Sequence, residues 1–148
     1  MKKTLSSKQI EFSQAVGYLL LFAKSRSISI KITCLYRTPE QQRYLVKSGK
    51  SKTLDSYHLS GLAVDIAIIK DGKAVWSKEA FEPLGRFWAD ELGGTWGGDF
   101  KNFEDCPHFQ WKDNMRLDRY TDFTEVKPEI VSFNIGGEKE EDDGQTNL

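Results

Sequence analysis

Histidine, cysteine and methionine are scarce in this chain, with two of each in 148 residues, and proline occurs only four times. Two cysteines are too few for a disulfide-dense secreted scaffold, so Cys34 and Cys106 read as free thiols. Long apolar runs are missing. The best, Ala15 to Ala23, is interrupted by Gly17 and Tyr18 and lies behind Glu11. It is far short of the roughly 18 residues that a membrane span requires. Lys2 and Lys3 are followed by polar residues, which is not the pattern of an export signal. Internal repeats and the His-Glu-x-x-His helix of many metalloproteases are also absent. With 39% hydrophobic and 12% aromatic residues beside these absences, multi-pass membrane, collagen-like and wholly disordered classes are excluded.

What is present is ordinary globular composition, with 39% hydrophobic and 12% aromatic residues. A chain of this length buries roughly two-thirds of its unfolded surface and needs no covalent staples. The expected state is a monomer made in the cytoplasm. Net charge is only −1, but it is unevenly spread. Eleven Lys and Arg against three acids give residues 1–55 a charge of +8, leaving −9 for the remainder. A basic half steers a protein toward an anionic polymer. Aromatics are not interleaved with the basic residues in the manner of RNA-binding proteins, so nucleic acid is not the expected partner.

Ser6-Ser7-Lys8-Gln9 reads as a capping box, followed by Ile10, Phe12, Val16, Leu19, Leu20 and Ala23 at helical spacing. This predicts a helix over 7–25. Ile28, Ile30, Ile32 and Cys34 alternate with polar residues as a strand ending near Tyr36. Thr38-Pro39-Glu40-Gln41 starts a second helix, stopped by Gly49. A polar loop spans 49–61. Leu62–Ile69 is a strand, and Asp71-Gly72 turns it into a hairpin with Ala74-Val75-Trp76. Phe81, Leu84, Phe87, Trp88 and Leu92 suggest a third helix, with Pro83 in its first turn or dividing it. Glycines 93, 94, 97 and 98 form a loop around Trp96, and His108–Trp111 is a short strand. Residues 1–135 form the expected domain, and 136–148 an acidic disordered tail. The element order predicts an α+β fold, with about three helices packed on a small, mainly antiparallel sheet.

The two histidines lie in chemically dense segments. In the strand, Leu62, Val64, Ile66 and Ile68 share one face, and Ala63, Asp65, Ala67 and Ile69 the other. A carboxylate flanked by two alanines requires a cationic partner if it is buried. Gly61 lets the chain turn so that His58 returns over the strand. Phe109 and Trp111 alternate inward, leaving His108 and Gln110 on the opposite face. With that strand beside 62–69, His58, Asp65 and His108 converge as a catalytic zinc set with one position open to water. Cys106, two residues from His108, is the rival ligand. Trp96 and Trp111 read as packing residues.

Ser56-x-His58-x-x-Gly61-x-Ala63-x-Asp65, with Asp105-x-x-His108 later, resembles the D-Ala-D-Ala carboxypeptidase/dipeptidase family of zinc peptidases. Phage L-alanyl-D-glutamate endopeptidases are similar in the same way. Tyr36-Arg37-Thr38-Pro39-Glu40-Gln41-Gln42 and Trp96-Gly97-Gly98-Asp99 extend the likeness over about residues 8–112. The resemblance implies Zn2+ held by His58, Asp65 and His108, with Asp105 as general base. It implies that Arg37 binds the scissile carbonyl or a nearby carboxylate, and that Ser56 holds substrate or orders the loop. The implied activity is cleavage of the peptidoglycan stem peptide, at the L-Ala–D-Glu bond, by a phage or prophage endolysin. The basic half then faces an anionic cell envelope, reached through a separate export or lysis factor. The competing readings are a D,D-carboxypeptidase releasing terminal D-Ala and a zinc-stabilised binding module without catalysis.

Overall fold

The computed structural model describes residues 1–118. The expected domain end at 135 and the acidic tail 136–148 lie outside the described residues.

Helix α1 spans Leu5–Ser25 and starts earlier than its sequence suggests. Thr4 is the cap, its hydroxyl accepting from the Ser7 amide at 3.2 Å. Ser6 and Ser7 therefore sit inside the first turn. The buried stripe is Phe12, Ala15, Leu19 and Ala23. Ile10 and Leu20 fit the apolar periodicity less well in space, since both lie on the exposed side.

Helix α2, Pro39–Lys47, starts where expected, with Pro in its first turn, and has a capping box as well: Thr38 accepts from the Gln41 amide, and the Gln41 side chain reaches back to the Thr38 amide. Helix α3 runs from Lys78 to Arg86 and continues as a wider π turn over Phe87–Glu91. Pro83 neither opens α3 nor divides it; the helix passes through it.

The sheet is antiparallel at every described pairing. Its strands are β1 (Ile30–Cys34), β2 (Ala63–Lys70), β3 (Lys73–Val75), β4 (Thr95–Trp96) and β5 (His108–Gln110). The order is β1-β2-β5-β4, and β3 pairs with the far end of β2 through the Asp71-Gly72 turn. Positive φ at both turn residues (51° and 72°) matches the two-residue hairpin class read from the sequence.

One sheet face meets the helices. Val64 and Ile66 are buried there, and Phe109 stands opposite Val64. Trp88 of the π turn bridges Phe109 (5.8 Å, edge-on) and Phe12 of α1 (6.0 Å). Trp96 and Trp111 are packing residues as expected. Their ring N–H groups donate to Cys106 O (2.8 Å) and to Glu11 (3.1 Å), so neither is buried with an unmet donor. Each such aromatic contributes about 2–3 kcal/mol by leaving water. This core backs the opposite face of the sheet, which carries Asp65.

Candidate metal centre

Three neighbouring strands contribute one row of side chains. Cys34 of β1 stands opposite Asp65 of β2, and Asp65 stands opposite His108 of β5. Cys34 reaches this row through an irregularity. Ile32 pairs with Ile66, and strict alternation would leave Cys34 on the same face as Ile32. A shift of register between Ile32 and Cys34 sets Cys34 against Asp65 instead. Such bulges re-aim a side chain beside a site.

His58 enters from a short 3-10 turn, Tyr57–Ser60. Ser56 caps it, its hydroxyl accepting from the His58 amide at 3.3 Å. Gly61 closes it in the left-handed region at φ 66°. Gln9 of α1 donates to Ser60 O at 2.8 Å, and the Arg37 amide donates to His58 O at 3.1 Å. The turn is thus tied to α1 and to the end of β1, and the His58 ring is almost wholly buried.

Both imidazoles are oriented from behind. His58 Nδ1 donates to Leu35 O at 2.7 Å; a carbonyl only accepts, so the proton is on Nδ1. His58 Nε2 lies 3.2 Å from Asp65 Oδ1 without a hydrogen-bond partner. His108 Nε2 faces Gln110 Oε1 at 2.7 Å, and His108 Nδ1 lies 3.2 Å from the same Asp65 Oδ1. Two nitrogens and a carboxylate oxygen therefore converge, each imidazole braced by an acceptor on its far side. That is how metal-binding histidines are held. The orphaned, buried His58 Nε2 and the N, N, O donor set fit a zinc ion.

The charges agree. Burial pushes the Asp65 carboxyl up, but the His108 hydrogen bond and the adjacent His58 outweigh it, holding the group well below the usual carboxylate range. Burial pulls His108 down, but its bonds to Asp65 and Gln110 prevail and raise it. Its two ring nitrogens face two acceptors, Asp65 Oδ1 and Gln110 Oε1. The expected cationic partner of Asp65 is also present: Arg37 Nη2 lies 3.6 Å from Oδ2.

Arg37 is braced by a residue that sequence reasoning passed over. Its Nη1 donates to Gln42 Oε1 at 2.8 Å. Gln42 is fully buried, and its amide donates to Thr53 O (2.5 Å) and Ser51 Oγ (3.0 Å). A polar residue on the inward side of α2 was the available signal.

Cys34 is the second omission. Among the described residues, donor atoms of Cys34, His58 and Asp65 all lie within 4.8 Å of one another. The thiol is 3.7 Å from His58 Nδ1, the nitrogen already committed to Leu35 O, and 3.6 Å from Arg37 Nη2. Cys106, the alternative ligand, is buried outside this cluster. Burial and then the Glu104 charge push its thiol up.

Asp105 lies on the turn entering β5, half-buried. Its carbonyl accepts from the His108 amide (3.0 Å), and its amide donates to Gly97 O (2.9 Å). A Cβ at Gly97 would stand 2.2 Å from Asp105 O, so only glycine permits this approach. Burial raises the Asp105 carboxyl; His108 opposes this, and the Asp65 charge adds to it.

Residues 49–111 match the model of the family described as D-alanyl-D-alanine carboxypeptidase. The matched stretch contains Ser56, His58, Asp65, Asp105 and His108, while Cys34 and Arg37 precede it. The chain is similar to the L-alanyl-D-glutamate peptidase of Listeria phage A118, at 39% identity over 99 residues, 66% of this chain and 35% of that protein. It is also similar to the peptidoglycan L-alanyl-D-glutamate endopeptidase CwlK of Bacillus subtilis (strain 168). There the identity is 34% over 106 aligned positions, covering 60% of this chain and 64% of that protein. The chain thus spans about a third of the phage relative's length and under two-thirds of the second. The fold matches the crystal structure of the Serratia marcescens L-Ala D-Glu endopeptidase ChiX. The TM-score is 0.58 at 26% identity, over 73% of this chain and 83% of that one. The α+β architecture expected from the sequence is present and is shared with that solved structure. No helix among the described residues is long and apolar enough to cross a membrane.

Proposed function

We propose that this chain is a zinc-dependent endopeptidase that cleaves the stem peptide of bacterial peptidoglycan at the L-Ala–D-Glu bond, as a phage or prophage endolysin. The observation that carries the reading is the convergence of His58 Nε2 and His108 Nδ1 on Asp65 Oδ1. The names of the curated relatives and of the solved structure supply the substrate class.

His58, Asp65 and His108 are the zinc ligands in this reading. A zinc ion on two imidazoles and a carboxylate supplies Lewis acidity toward a peptide carbonyl and toward water. Asp105 takes the proton from the attacking water and returns it to the leaving amine. Its burial suits that task, because a carboxyl held above its ordinary range is a stronger base. Arg37, braced by Gln42, faces the carbonyl oxygen as negative charge develops there. Ser56 serves by capping the His58 turn. The +8 charge of residues 1–55 draws the protein to an anionic envelope polymer.

A second reading has one observation behind it. Cys34 stands close enough to His58 and Asp65 to act as a further protein donor. A site closed in that way belongs to a zinc-stabilised binding module and leaves Asp105 without a task. The side of His58 that Cys34 faces argues for the open site, because that nitrogen already serves Leu35 O.

Digestion of purified peptidoglycan, with mass spectrometry of the new ends, tests the proposal. New amino-terminal D-Glu is the expected product. Free D-Ala would make the chain a D,D-carboxypeptidase, and no product would favour the binding module.

A further inference from the structure

A cleft of about 770 Å3 opens between the end of β1 and α2. Cys34 and Arg37 form its inner end, so it begins beside the donor cluster. Tyr36 and Tyr44 line it further out and are 62% and 65% exposed. Glu40 and Gln41 supply polar groups at its wall. Arg37 is the one cation in the lining, and it is already engaged by Gln42 and Asp65.

The other side of the centre has the opposite character. Across β5, Phe100 lies 5.8 Å from the His108 ring and 6.1 Å from Phe103. Lys52 sits over Phe103 at 4.8 Å, and Lys101 lies between the two phenylalanines in the chain.

The proposed substrate is equally lopsided. On the amino side of the L-Ala–D-Glu bond there is only alanine, amide-linked to the lactyl group of N-acetylmuramic acid, and no charge. On the carboxyl side, D-Glu and the terminal D-Ala each carry a carboxylate. A neutral sugar fits a cleft that has no free cation and offers two exposed rings with polar neighbours. The anionic peptide fits the lysine side. We infer that the Tyr36–Tyr44 cleft is a subsite for the muramyl sugar, which sets the direction in which the stem peptide crosses the centre. This inference rests on the peptidase reading above.

Two substrates of the same peptide sequence test it, one bearing N-acetylmuramyl on L-Ala and the other a plain acetyl group. The parent chain is expected to favour the muramyl substrate in kcat/KM by about tenfold, the size of one aromatic contact. Tyr44→Ala should bring that ratio close to one, and Tyr44→Phe should restore it. Equal kcat/KM for both substrates in the parent, or an unaltered ratio in Tyr44→Ala, overturns the inference. Binding of the neutral disaccharide N-acetylglucosaminyl-N-acetylmuramyl-L-alanine amide, followed by amide NMR, gives a readout without turnover. Shifts across residues 36–45 that vanish in Tyr44→Ala support the subsite, and no shifts overturn it. If the disaccharide binds there but neither peptide is cut, the subsite stands and the hydrolytic reading fails.

Discussion

His58 Nε2 lies 3.2 Å from Asp65 Oδ1 without a hydrogen-bond partner, while Nδ1 on the far side of the ring donates to Leu35 O. A buried imidazole nitrogen with no partner is costly unless a cation meets it. The fold bears that cost at one point only among the described side-chain nitrogens of histidine, and the residues around it set what should be measured.

His58→Ala removes the one donor that has no other partner. Zinc content should fall from one per chain to a small fraction, and the stabilisation that zinc brings should fall with it. Elemental analysis and thermal melts check this. Full zinc occupancy in a His58→Ala, His108→Ala double variant would contradict the ligand assignment.

Stability should respond to pH and zinc together. His108 has a raised pKa in the fold, so its pairing stabilises the chelated protein fully below about 6.5, its unfolded value, and is lost as pH rises through the folded value. Asp65 is depressed, so its contribution is present above about 3.9 and is lost only in stronger acid. Zinc competes with the proton on His108. The rise in Tm on adding zinc should therefore be larger at pH 8 than at pH 5.5. An equal or larger rise at pH 5.5 would show that no such proton is displaced.

The capacity to foresee this site was uneven along the chain, for physical reasons. Alternation through Leu62–Ile69 is regular, so Asp65 was assignable to the face opposite the core, and Phe109 and Trp111 fixed His108 in the same way. Cys34 was not assignable, because a bulge breaks the two-residue period just before it, and a bulge has no side-chain signature. Gln42 was obscured because its partners, Arg37, Ser51 and Thr53, come together only after α2 docks. Pro83 misled in the other direction: local preference argues for a break, yet burial of Phe81 and Leu84 on either side keeps α3 intact. Likewise Ile10 and Leu20 share the apolar type of α1's buried stripe but not its angle.

Gln42→Ala should loosen Arg37 without touching the zinc donors. Loss of the buried amide removes one hydrogen bond from Thr53 O and the partner of Arg37 Nη1, at a cost of about 1–3 kcal/mol. Turnover should fall while zinc content holds. A variant with parent stability and parent kcat would remove the brace from the account.

Cys34→Ser separates an open site from a closed one. With His58, Asp65 and His108 as the ligands, the variant should bind zinc within a few-fold of the parent in a chelator competition. In the cobalt-substituted parent, no thiolate-to-cobalt band should be seen. A strong band that disappears in Cys34→Ser would make the thiol a ligand and favour the binding module.

The most direct test is the turnover of Asp105→Asn at full zinc occupancy on purified peptidoglycan. Asparagine keeps the shape and the backbone bonds to Gly97 and His108 but cannot accept a proton. The expected result is a folded, zinc-loaded protein with kcat lower by about a hundred- to ten-thousandfold. Hydrolysis at close to the parent rate would contradict the account by removing Asp105 from proton transfer.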